Sequence, residues 1–152
     1  MSPRTVSDLV RRDTPLLHVD DTVEDGARAL LAGDLPALPV VDGHERFAGI
    51  FGEREFMAAV FPGYVKQLKY AGFLSRSLDE ALERNESCRV EPISMHMNTE
   101  HIDVGPDFSD LQIAETFLHH RVLVIPVVDD GIVRALITRA DFFEAVANRF
   151  LE

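Results

Sequence analysis

Residues 133–146 read VRALITRADFFEAV. Val133, Ala135 and Ile137 fall on one face of a strand, Leu136 covers the other, and the apolar run stops at Thr138, so a strand buried on both faces is expected. Thr138 is a good N-cap for a following helix whose third position is Asp141 and whose apolar side is Phe142, Phe143 and Val146. A hydroxyl and a carboxylate thus reach one helix N-terminus. Unsatisfied N–H groups and the positive end of the helix dipole collect there and favour an anion such as a phosphate. A carboxylate one turn on can accept hydrogen bonds from a pair of ribose hydroxyls. A lone Thr-x-x-Asp is more often only a cap, and its weight here comes from a surrounding pattern that occurs twice.

Working outward, Thr5 to Arg12 reads as a short lead-in helix ended by Asp13-Thr14-Pro15, and Leu16 to Val19 as a short strand. Val23, Ala27, Leu30 and Leu31 recur at helical spacing up to Gly33, which is placed to stop that helix. Pro36 to Val41 is expected as a buried strand, Asp42-Gly43 as a turn, Arg46 to Phe51 as a second strand and Glu53 to Val60 as a helix. The second half runs through the same order: Thr99 lies 85 residues after Thr14, Pro126 lies 87 after Pro39, and Val146 lies 86 after Val60. Two copies of about 50 residues, each strand–helix–strand–strand–helix, mark an internal repeat. Each copy is too small to hold a good core alone, so the two are expected to pack together.

Composition narrows the function. The 152 residues carry 26 acidic and 15 basic side chains, a formal net charge of −11, and no basic cluster longer than Arg11-Arg12. Binding to nucleic acid through its phosphates needs a basic surface, so that class is set aside. Cys88 is the one cysteine and forms no internal disulfide, which fits a reduced, cytoplasmic setting. No apolar run approaches the roughly 20 residues that span a bilayer, so a soluble protein without a membrane partner is expected.

The strands LPVVD (38–42) and IPVVD (125–129), followed by GIFGERE (49–55) and ALITRAD (135–141), resemble a tandem pair of cystathionine-beta-synthase (CBS) domains, the arrangement called a Bateman module. The resemblance covers most of Thr5 to Val60 and Val90 to Val146. It implies an α/β (α+β) fold of two pseudo-symmetric βαββα repeats packed sheet to sheet, with the helices outside. The corresponding boundaries are residues 1–60 for the first repeat with its lead-in helix, 61–89 for a helical insert, and 90–152 for the second repeat. Within the insert, Tyr64 to Tyr70 and Leu74 to Arg84 read as amphipathic helices, with Val65, Leu68, Leu78, Ala81 and Leu82 available to face the body.

The resemblance also implies an adenosine nucleotide as regulatory ligand, AMP or ATP foremost, with no catalytic cofactor and no enzymatic activity. Thr138 would be a phosphate-side contact and Asp141 the ribose ligand, with Arg139 beside the phosphate. The adenine would lie on the first repeat, against Thr14, Pro15, Leu16 and Leu17 and against Pro36, Ala37 and Leu38. The first copy departs from the pattern, with Gly52 in place of Thr138 and Glu55 in place of Asp141, so the second pocket, lined also by about Thr99 to Ile102 and Leu123 to Ile125, is expected to be weak or empty. Such modules pair into two-fold dimers, here through Glu53 to Val60 and Ala140 to Phe150, and can act on an effector protein. Met95-His96-Met97 with His101 could form a soft metal site, although packing is the commoner use of such residues. His119-His120-Arg121 complements a helix end. No nucleophile–base arrangement stands out. The competing reading is a structural dimerisation module without a ligand.

Overall fold

The computed structural model describes residues 14–61 and 78–152. The expected lead-in helix, the Tyr64–Tyr70 helix and the start of the Leu74–Arg84 helix lie outside them. The first repeat consists of β1 (Leu17–His18), α1 (Val23–Gly33), β2 (Ala37–Val41), β3 (Phe47–Gly52) and α2 (Glu53–Val60). Helix α3 (Leu78–Arg84) and two 3-10 turns (Glu86–Val90 and Ile93–Met95) lead to the second repeat: α4 (Asp110–His119), β4 (Val124–Asp129), β5 (Ile132–Thr138) and α5 (Arg139–Leu151). Among the described residues no helix is long and apolar enough to cross a membrane.

The sheets are mixed: β1 runs parallel to β2, and β2 antiparallel to β3, in the order β1-β2-β3. In the second repeat β4 and β5 are antiparallel, and Val104 supplies the counterpart of β1 as a single parallel bridge to Val127. Proline within a central strand is normally excluded because it removes a ladder donor. Here Pro39 lies opposite Ile50, whose N–H and C=O bond Asn98 on the other side at 2.9 and 2.8 Å. This is therefore a non-hydrogen-bonded pair on the β3 side, and no N–H is needed there. Asp130 and Gly131 both have positive φ, 50° and 81°, and make a two-residue hairpin whose twist suits antiparallel strands.

Burial follows the alternation of the strands. Ile125, Val127, Ala135 and Ile137 form one core with Val104 and Ile113. Val124 and Leu136, on the opposite face, join the core of the first repeat with Leu38, Val40, Ile50 and Phe51. This shared core is what packs the repeats together. The backbone adds to it through the Ile50–Asn98 pair and through a 2.8 Å bond from the Phe47 N–H to the Gly131 carbonyl.

Two helix expectations are corrected, and the expected turn at Asp42-Gly43 is in place. Helix α1 runs through Gly33 and ends on Asp34, which takes the left-handed conformation at φ 52°; a short carboxamide or carboxylate side chain tolerates that region better than most. In the β2–β3 turn the left-handed residue is Glu45 at φ 61°, while the Asp42 carboxylate accepts the His44 and Arg46 N–H groups. Among the described side chains of α3 only Ala81 is buried, and Leu78 is 63% exposed. Cys88, despite its polar neighbours in sequence, joins the first core, and burial pushes its thiol pKa up.

Candidate functional site

Each β-hairpin feeds a helix, and the two junctions are built alike. The Glu53 N–H donates to the Pro36 carbonyl and the Arg139 N–H to the Leu123 carbonyl, both at 2.9 Å. The start of each second helix is thereby tied to the residue that leads into the β2 or β4 strand of its own repeat. Both tied corners open onto one cavity of about 1150 Å³, above the usual size of a small-molecule pocket. Its wall from the second repeat is Leu123, Thr138, Arg139, Ala140 and Phe143. From the first repeat come Leu30, Leu31, Asp34, Leu35, Pro36 and Glu53.

Thr138 is the buried polar residue at this place, 2% exposed. Its Oγ1 accepts the Asp141 N–H at 3.0 Å, which makes it the N-cap of α5. A hydroxyl that accepts still has a proton to donate, so the cap can also bond an anion at the helix N-terminus. Asp141 stands at the third helical position and is half-buried.

The junction in the first repeat has the same backbone and opposite chemistry. The Glu55 carboxylate folds back and accepts the Gly52 N–H at 2.9 Å. That bond places a negative charge of the protein's own at the N-terminus of α2, where an anionic ligand would otherwise be favoured. A side chain at Gly52 is also excluded: a Cβ there would lie 2.6 Å from both the Pro36 carbonyl oxygen and the Ala37 Cβ. The missing hydroxyl is thus a packing requirement.

The structure brings Pro36, Thr138 and Arg139 to one cavity. Ala37 and Leu38 follow Pro36 into β2 and are buried, Leu38 completely. Leu17 is buried in β1 opposite Val40, and Thr14, Pro15 and Leu16 precede it in irregular chain, outside the lining of this cavity. Leu123, assigned from the sequence to the other pocket, lines the same cavity as Thr138. Sequence reasoning missed Leu35, Asp34, Glu53 and Phe143 as wall residues. The available signal was the repeat itself, since Pro36 and Leu123 occupy equivalent positions.

The other sequence candidates have structural surroundings. Among the described residues no group of three or more His, Cys, Asp or Glu is placed to hold a metal. Met97 packs on the first core, His96 Nε2 lies 3.3 Å from a Glu91 carboxylate oxygen, and the His101 ring tilts against Phe47 at 4.3 Å between centroids. Burial holds the His101 pKa below the ordinary histidine value. His119 and His120 sit in the last turn and at the C-cap of α4.

The model of the CBS domain family matches residues 6–62 and 90–148, and the chain belongs to that family as a tandem pair. Similar solved structures are CBS pairs as well. The CBS-domain containing protein ATU1752 from Agrobacterium tumefaciens is 22% identical, with 95% of this chain and 94% of that one covered at a TM-score of 0.70. CBSX2, solved in complex with AMP, is 17% identical over 96% of this chain and 98% of its own, TM-score 0.69. The CBS domain pair of protein MJ0100, solved with 5′-methylthioadenosine and S-adenosyl-L-methionine, is 18% identical over 97% and 99%, TM-score 0.69.

Proposed function

We propose that this protein is a non-catalytic, ligand-sensing regulatory module that binds one adenosine nucleotide per chain, with Thr138 and Arg139 at the phosphate and Asp141 at the ribose. The observation that carries the proposal is the buried Thr138 hydroxyl at the N-terminus of α5, lining a cavity whose other wall comes from the first repeat. The AMP bound by CBSX2 and the adenosyl compounds bound by the MJ0100 pair support the ligand class. Adenine is assigned to the first-repeat wall of the same cavity, at Pro36, since Thr14 to Leu17, Ala37 and Leu38 lie outside its lining. A ligand bound between repeats acts by favouring one of two geometries of the module, to the extent that it binds them differently. Self-association is part of the proposal. Helices α2 and α5 carry Met57, Phe143, Val146 and Phe150 at 51–86% exposure, more apolar surface than a monomer leaves uncovered. A two-fold pairing of these helices would cover it. The module is assigned to the cytoplasm, where a lone free cysteine is stable, and its output would be an effector protein or the dimer itself.

Calorimetry with AMP on ligand-stripped protein tests the site. Asp141→Ala keeps the backbone N–H that Thr138 caps and removes only the carboxylate. Hydrogen bonds to a charged group are worth about 1.5–3 kcal/mol each, so affinity should fall at least about tenfold. Glu55→Ala should leave it nearly unchanged. Equal effects of the two substitutions would exclude the single site at Thr138. A structural dimerisation module is the second reading, favoured by the self-capped α2 junction, and it predicts no binding to the wild type at millimolar nucleotide. Light scattering at tens of micromolar checks the dimer, for which a monomer mass is the contrary result.

A further inference from the structure

The charges around the cavity are unequal. On the α5 side it offers one cation, Arg139, and one helix N-terminus capped by a hydroxyl. On the α1–α2 side it carries two carboxylates, Asp34 at the C-cap of α1 and Glu53 at the first position of α2. The N-terminus of α2 offers no second anion site, because the Glu55 carboxylate already accepts the Gly52 N–H there. A first phosphate at α5 is therefore favoured, whereas each further phosphate adds negative charge within a cavity whose lining holds two carboxylates against one guanidinium, in a chain of net charge −11.

We infer that the cavity is a mononucleotide site in which Asp34 and Glu53 are specificity residues that disfavour di- and triphosphates. This inference rests on the adenosine-nucleotide reading above and deepens it. The effect is electrostatic and partly screened, since Asp34, Glu53 and Arg139 are all exposed. Each unfavourable approach at a solvated surface changes binding by up to about fivefold. Glu53 also complements the α2 dipole, and Asp34 holds a left-handed conformation that asparagine adopts equally well. The isosteric changes Asp34→Asn and Glu53→Gln therefore leave the fold in place.

The test is calorimetry of the full chain with adenosine, AMP, ADP and ATP in magnesium-free buffer, on wild type, on Glu53→Gln and on the Asp34→Asn/Glu53→Gln pair. In the wild type AMP should bind tightest and ATP roughly tenfold more weakly, the combined effect of two such approaches. Glu53→Gln should narrow that gap, and the pair should bring it to within about twofold. Added salt should also narrow the wild-type gap. ATP binding as tightly as AMP in the wild type, or a gap unchanged in the pair, overturns the charge-selection inference alone. Failure of all four compounds to bind overturns the adenosine-nucleotide reading, and this inference with it.

Discussion

A methyl group at position 26 would lie 2.6 Å from the Phe51 ring and 3.2 Å from Ile93. Both neighbours are completely buried, so neither has space to move away. Gly26 is thus what lets α1 sit directly on β3. At Gly33, in the last turn of the same helix, a Cβ would meet nothing within 4 Å. Gly26→Ala should destabilise by about 1–3 kcal/mol through overpacking, in spite of alanine's better helix propensity. Gly33→Ala should stabilise by up to about 1 kcal/mol. Urea unfolding midpoints at an unchanged slope separate the two, and a neutral Gly26→Ala would show that the α1–β3 contact is looser than described. Gly49 belongs to the same class: a Cβ there would lie 2.8 Å from the Asn98 carbonyl oxygen, where the chain entering the second repeat crosses β3.

At the scale of the element, among the described residues three helices start on a side-chain cap: Thr22 on α1, Ser109 on α4 and Thr138 on α5. On α1 the cap is reciprocal, since the Asp25 N–H donates to Thr22 Oγ1 and the Thr22 N–H donates to the Asp25 carboxylate. The Thr22 backbone N–H first and the Thr22 hydroxyl second, both acting on the Asp25 carboxylate, hold that carboxyl below its ordinary pKa. The folded pKa is lower than the unfolded one, so this contribution is complete above the unfolded value and is lost as pH falls through the lowered one. Loss of a cap costs about 1 kcal/mol, so Ser109→Ala and Thr138→Ala should lower stability by similar amounts. Only Thr138→Ala should also weaken AMP binding, because only Thr138 lines the cavity. Thermal melts paired with calorimetry read both effects, and equal loss of binding in the two variants would reduce Thr138 to a cap.

At the scale of the molecule, the two repeats share a core through Val124 and Leu136 and share backbone bonds at Ile50–Asn98 and Phe47–Gly131. Neither half of about 50 residues buries enough surface to be stable alone. Calorimetric unfolding should therefore show one transition in which the repeats melt together. Leu136→Ala, at a completely buried position of the shared core, should lower that single transition by about 2–5 kcal/mol of stability. Two resolved transitions, or a Leu136→Ala effect confined to one of them, would show that the repeats fold independently.

Local chemistry was legible in the chain itself. Alternation separated Ala135 and Ile137 from Leu136, and the structure puts them in different cores, whereas Val133, expected with Ala135 and Ile137, is taken off their face by the register shift that pairs it with Val128. Thr138 and Asp141 were placed at the start of α5 because a capping hydroxyl and a third-position carboxylate act within one turn. The twice-occurring strand–helix order gave the repeats and the family for the same reason, since strand and helix periods are properties of neighbouring residues. The tertiary structure decided what depends on distant segments. Packing of segments distant in sequence buries Cys88 in the first core, selects Gly52 against the Pro36 carbonyl of the neighbouring strand in the same repeat, and leaves Leu31 and Phe143 at 87% and 69% exposure beside an open cavity. It also brings Leu123 and Pro36, 87 positions apart in sequence, to a single site. No periodicity encodes such a juxtaposition, because it is set by how two sheets meet.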